Sequence, residues 1–201
     1  AGVRLAAVNA PQRCVISGEA EAVSGAAAQF ATRGIPCEPL NVSHAFHSSL
    51  MLPALDDIDQ ALAGVRFKPP RLPIFTNLSG NEAKAGELDT PDYWRQQVIG
   101  TIRFGNCVLA ALDRGFATFL EIGPQPTLTA LAQHATRPRD CTWAASLRRD
   151  ADDRNQMARA QALLYVGGVN FNWDAVYRGQ PFTPVSLPGY PFQRQRFWIE
   201  A

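Results

Sequence analysis

The stretch Val42-Ser43-His44-Ala45-Phe46-His47-Ser48-Ser49-Leu50-Met51 holds two of the three histidines of this chain within four residues. It also falls where one kind of pattern gives way to another. Upstream, Ile35 to Val42 reads as an extended segment interrupted by prolines. Downstream, Met51, Leu55, Ile58 and Leu62 step by four, three and four, which lines one face of a helix from Ser48 to Leu62. Pro53 is tolerable there because it lies near the start of that helix. A strand-to-helix junction carrying imidazoles is therefore the feature around which the rest is read.

Three readings of the junction stand side by side. Histidines three apart on a helix share a face and could bind one metal ion, but zinc needs further ligands and the nearest, Cys37 and Asp56, form no known pattern. A plain reading leaves the histidines incidental, each satisfied by a carbonyl or by solvent. The third makes one of them a general base, since imidazole titrates near neutrality and can take a proton and return it within one cycle. A base of that kind serves a nucleophile, and the Ser-centred elbow GxSxG is absent from these residues.

Working outward, Val3 to Val8 and Arg13 to Ser17 read as strands joined by Asn9-Ala10-Pro11 turn chemistry. Glu19 to Thr32 is an alanine-rich helix stopped by Gly34. Phe67 to Leu78 reads as a Pro-flanked strand, so residues 1–80 suggest a small α+β layer with helices on one face of a sheet. Thr90-Pro91-Asp92 opens a helix through YWRQQVIG and on toward Asp113. Thr118 to Ile122 and Thr142 to Leu147 read as strands, Thr127 to His134 and Asp152 to Val166 as helices. From Phe171 the tail turns rich in aromatic residues, Pro and Gly.

Composition narrows the classes. The 201 residues are 46% hydrophobic, enough for a sizeable core, and the net charge of +1 comes from mixed acids and bases. No run of basic residues points to nucleic acid or an anionic membrane. The four cysteines contain no CxxC and fit reduced thiols in a cytoplasmic protein. The opening AGVRLAAVNAP reads as a strand entered in mid-domain rather than a natural start.

Taken in order, several segments resemble one family. VSHAFHSSLM (42–51) is similar to the histidine region of acyltransferase domains of type I polyketide synthases. AAVNAP (6–11) and RCVISGEAEAV (13–23) resemble the start of the subdomain before that histidine. FTNLSG (75–80), DYWRQQVIGTIRF (92–104) and FLEIGPQPTLTAL (119–131) resemble later blocks of the same domain. VGGVNFNWDAVYRG (166–179) and VSLPGYPFQRQRFW (185–198) resemble the linker that follows it.

The resemblance implies an α/β fold: a ferredoxin-like subdomain over 1–80, the C-terminal part of an α/β-hydrolase-like core over 81–150, and a linker over 151–201. It implies transfer of a malonyl extender unit from coenzyme A, through an acyl-serine, to the phosphopantetheine thiol of an acyl carrier protein. No tightly bound cofactor and no metal are implied. His47 takes the place of the catalytic base. His44-Ala45-Phe46-His47 takes that of the selectivity motif, in its malonyl form. Phe46 has far more volume than the serine of the methylmalonyl form, and overpacking costs about 1–3 kcal/mol. HAFH either excludes the α-methyl directly or accompanies deeper pocket differences.

The family's GHSxG serine, and the arginine that grips the malonyl carboxylate, have no counterpart in this chain, so it is expected to be inactive alone. A backbone carbonyl in the loop after the YW helix, here Val98-Ile99-Gly100-Thr101, orients the family histidine. Gly100 is the candidate here, although it equally reads as a plain helix stop. The tail 180–201 is expected to pack on a neighbouring ketosynthase. A second reading of the chain is a structural docking piece without chemistry.

Three further features carry double readings. Gly123-Pro124-Gln125-Pro126 is either a phosphate-cradling turn or a structural one, and two prolines without N–H favour the latter. Glu121 either shapes a cleft or caps a helix. Arg148-Arg149 is either a phosphate site or a solvated charge cluster beside Asp150, Asp152 and Asp153.

Overall fold

The computed structural model describes residues 2–136, 141–179, 181, 183 and 185–199. It divides into two units, residues 1–169 and 170–201. The expected boundary at 150 falls inside the first of them.

In the first unit, β1 (Val3–Ala10) pairs antiparallel with β2 (Arg13–Gly18). The register shifts between Leu5 and Ala7 and again between Val8 and Ala10, so β1 carries extra residues and bends. Ala6 and Ala10 of this strand are buried. The helix α1 (Ala20–Thr32) follows and ends at Arg33, with Gly34 in the left-handed region at φ +73.

The segment 35–48 contains no strand, contrary to the reading of Ile35 to Val42. Pro36 and Pro39 remove two of the N–H donors that a ladder would need. The expected strand from Phe67 to Leu78 shrinks for the same reason. Pro69, Pro70 and Pro73 leave only β3 (Phe75–Thr76), paired with β4 (Asn81–Glu82). The layer predicted for residues 1–80 thus has no third strand on β2 among the described residues.

The helix expected over 48–62 is two elements in tandem. A 3-10 turn occupies Ser49–Ala54 and passes directly into α2 (Leu55–Leu62). Pro53 lies inside the 3-10 segment, where its missing N–H forfeits an intrahelical bond.

The long helix expected from Thr90 also divides, into α3 (Pro91–Ile99) and α4 (Phe104–Asp113). The break exists because Ile102 pairs with β1: its N–H donates to the Ala6 carbonyl at 2.8 Å, and its carbonyl accepts from Val8 at 2.7 Å. Gly105 then lets α4 press on β1, since a Cβ there would lie 2.8 Å from the Asn9 carbonyl oxygen.

The core lies between α4 and a parallel pair, β5 (Thr118–Glu121) and β6 (Thr142–Ala145), with α5 (Thr127–Ala135) connecting them. Val108 and Leu112 of α4 and Ala132 of α5 form its centre. Phe119 and Trp143 stack on neighbouring strands with ring centroids 4.5 Å apart. The helix α6 (Asp153–Val166) packs on β6 and is capped by Asp152, whose carboxylate accepts from the Asn155 N–H at 2.9 Å. In the second unit, α7 (Trp173–Val176) is capped by Asn172, and the described residues beyond it are exposed and form no helix or strand.

Candidate active site

His47 stands immediately before the 3-10 turn, with its backbone in the left-handed region at φ +59. Histidine visits that region more readily than most residues, yet it costs energy and marks a place where the surroundings dictate the backbone. The His47 N–H donates to the Val98 carbonyl at 3.3 Å, at the end of α3. Its Nδ1 is buried without a hydrogen-bond partner.

Ser48 locks the junction from the other side. Its hydroxyl donates to the Ala45 carbonyl at 2.6 Å and accepts from the Leu50 N–H at 3.2 Å, and the residue is 1% exposed. That is an N-cap, so the oxygen beside His47 is committed to the fold rather than free to attack a substrate.

His44 and Phe46 lie together on the exposed side of the loop. Their rings are tilted with centroids 5.8 Å apart, and Phe46 remains 45% exposed. His44 is exposed and pairs through Nδ1 with the Ser43 hydroxyl at 2.8 Å. The HAFH segment is thus an open aromatic pair beside a tethered, half-buried imidazole.

The Gly100 carbonyl makes no hydrogen bond to His47 Nδ1, and the main-chain carbonyl that does meet His47 is that of Val98. Gly100 caps α3, its N–H donating to the Gln96 carbonyl at 2.7 Å. A Cβ there would sit 2.5 Å from Leu78 Cδ2 and 2.7 Å from that carbonyl oxygen, so a close approach demands the glycine.

Behind the junction, Asp59 of α2 and Arg95 of α3 form an ion pair. This pair, and the capping role of Ser48, were not read from the sequence. A serine just ahead of a helical pattern is a readable cap signal; a pair 36 residues apart leaves no local one.

The other candidates take structural positions. Glu121 caps α5, accepting from the Leu128 and Thr129 N–H groups at 2.9 and 2.7 Å and from the Thr129 hydroxyl at 2.7 Å. Burial alone would raise its pKa, but those hydrogen bonds outweigh it and hold the carboxyl below the ordinary carboxylate range. The Gly123 N–H donates to the Ser146 hydroxyl at 3.1 Å, which commits it to the turn. Arg148 and Arg149 are exposed. Burial pushes the Cys107 thiol up to about 11, which leaves it protonated and inert at neutral pH. Among the described residues no three His, Cys, Asp or Glu side chains are grouped to hold a metal ion, and no helix is long and apolar enough to cross a membrane. A cavity of about 400 Å³ opens beside the start of α3, lined by Leu78, Glu87, Tyr93 and Gln96 among others. It includes neither His44, Phe46 nor His47, so the imidazole rather than this cavity marks the candidate site.

The structure is an α/β scaffold with one histidine in a left-handed conformation at a helix entrance and an exposed aromatic beside it. The particular family follows from comparison: the family described as acyl transferase domain matches residues 1–171, and the chain belongs to it. It is 35% identical over 198 residues to a phenolphthiocerol synthesis polyketide synthase type I, Pks15/1, of Mycobacterium marinum, covering 98% of this chain and 9% of that protein. Its fold is similar to that of the acyltransferase domain from the second module of the salinomycin polyketide synthase, with a TM-score of 0.85, 35% identity, and coverage of 95% of this chain and 45% of that one. A malonyl-CoA:acyl carrier protein transacylase from Xanthomonas oryzae is similar at a TM-score of 0.68 and 25% identity, over 80% of this chain and 49% of that one. The chain therefore spans less than a tenth of the curated relative and under half of each solved domain.

Proposed function

We propose that this chain supplies the general base and the extender-selecting face of an acyltransferase of a type I polyketide synthase, one that moves malonyl from coenzyme A to the phosphopantetheine thiol of an acyl carrier protein. The observation that carries the reading is the strained His47, half-buried, tied through its own N–H to α3 and placed beside an exposed Phe46. A strained backbone that persists without a stabilising side-chain bond is what a functional constraint leaves behind.

In this reading His47 takes the proton of a serine as that oxygen attacks the malonyl thioester, and gives the proton to the departing coenzyme A sulfur. The acyl-serine formed is then attacked by the carrier thiol, with the imidazole repeating the exchange. The serine itself belongs to a segment outside these 201 residues, because no GxSxG occurs in them. On its own the chain transfers nothing.

Phe46 selects the extender by volume. A solved relative named as a malonyl transacylase supports malonyl as the unit. The test is competition: malonyl-CoA and methylmalonyl-CoA are offered together to the synthase containing this chain, and the acyl group on the carrier is read by intact mass. Malonyl loading dominates in the parent, and Phe46→Ser raises the methylmalonyl share about tenfold or more. Equal loading by the parent, or an unchanged ratio in the variant, contradicts the assignment. The exposed Tyr190, Phe192, Phe197 and Trp198 support the further reading of the tail as a surface that packs on a neighbouring ketosynthase domain.

A further inference from the structure

We infer that the Asp59–Arg95 ion pair is a positioning device for His47, fixing the register along α3 of the segment that carries the imidazole. The inference rests on the reading of His47 as the base and adds two residues to it.

Besides the packing of the 3-10 turn and α2 on α3, two polar contacts join the His47 segment to that helix. The Val98 carbonyl accepts the His47 N–H, and the Arg95 guanidinium holds the Asp59 carboxylate. Arg95 and Val98 are three residues apart in one helix, so they lie on the same face. Between His47 and Asp59 there is no loose joint. Ser48 caps the 3-10 turn, and the C-cap of that turn, Leu55, is the first residue of α2. A run of residues without a coil moves as one body, so a slide of α2 along α3 is a displacement of His47.

His47 has need of the second anchor. Its backbone sits in a costly conformation that persists only where the surroundings over-determine it. Its single tie to α3 is 3.3 Å long, toward the weak end of the range. Its Nδ1 has no partner to hold the ring. A base displaced by a fraction of an ångström loses rate steeply. The side chains of Arg95 and Asp59 are 36% and 41% exposed, so the pair adds little to stability. Its consequence is directional: the planar guanidinium fork restricts the angle at which a carboxylate is held.

The experiment uses the synthase protein that contains this chain and follows malonyl transfer from malonyl-CoA to the carrier protein. Asp59→Asn and Arg95→Gln each lower kcat about three- to tenfold with KM unchanged, while thermal unfolding stays near that of the parent. The exchanged pair, Asp59→Arg with Arg95→Asp, restores kcat to within about twofold, because the contact re-forms with its charges swapped. Single variants that keep the parent kcat, a loss confined to KM, or an exchanged pair no better than the poorer single variant overturns the proposal. If a single variant fails to fold, Asp59→Glu and Arg95→Lys carry the test: a lowered kcat supports the positioning role and an unchanged one refutes it. His47→Ala separates the two levels. If it transfers malonyl at the parent rate, the reading of the base falls and this inference with it. If it is inactive while the Asp59 and Arg95 variants are untouched, only the ion pair loses its role.

Discussion

The main-chain N–H of His47 donates to the carbonyl of Val98 at 3.3 Å, and it does so from a backbone at φ +59. The helix that ends at Ile99 thus holds His47 by its backbone, while the ring Nδ1 is buried without a hydrogen-bond partner. Such a backbone carries a conformational cost.

A glycine at that position removes that cost. His47→Gly should be more stable than His47→Ala by about 1 kcal/mol, although glycine ordinarily weakens a fold, because only glycine adopts left-handed dihedrals without penalty. Urea unfolding of the two variants decides it, and a less stable glycine variant denies the strain.

Gly100 is constrained by space rather than by dihedral. Gly100→Ala forces a methyl to within 2.5 Å of Leu78 Cδ2 and 2.7 Å of the Gln96 carbonyl. Leu78 can give way but the backbone oxygen cannot, so a loss of about 1–3 kcal/mol in denaturant unfolding is expected. A neutral substitution places the clash elsewhere.

Glu121 gives the fold an acid-sensitive cap. Its folded pKa lies below the ordinary value, so its contribution is present above the unfolded pKa and is lost as pH falls through the folded one. Glu121→Gln should therefore cost about 1 kcal/mol at pH 7 and progressively less on acidification. Parallel unfolding curves for parent and variant at neutral and low pH test this, and a difference that does not shrink with acid rejects the cap.

Thiol reactivity should divide by burial. Cys14 and Cys37 are exposed, whereas Cys107 is buried with its pKa pushed up to about 11 and its thiol donating to the Thr76 carbonyl at 3.2 Å. At neutral pH alkylation should consume the first two at once and Cys107 only after unfolding. Peptide mass mapping reads the order, and prompt labelling of Cys107 rejects a closed core.

Local pattern accounts for what could be read in advance. Alternation marked β1 despite its two bulges, and helical spacing marked α1, because these signals are local. The misreadings share two causes. Prolines at 36, 39, 69, 70 and 73 strip donors from stretches whose side chains suit strands. Gly100 to Arg103, helical by spacing, is drawn out by pairing of Ile102 with β1, a contact spanning some ninety residues that no local window contains. The site divides likewise. His47, His44 and Phe46 lie in one short motif and were visible. The Val98 carbonyl lies in the segment expected to face the histidine, though it meets the main-chain N–H, whereas the Asp59–Arg95 pair comes from the meeting of α2 and α3 and left no local signal.

The central claim is that His47 moves the proton in acyl transfer. Its direct test is the rate at which the synthase containing this chain loads malonyl onto its carrier protein when His47 is replaced by alanine in a folded variant. A fall of about a hundredfold to ten-thousandfold is predicted. Loading within twofold of the parent would contradict it.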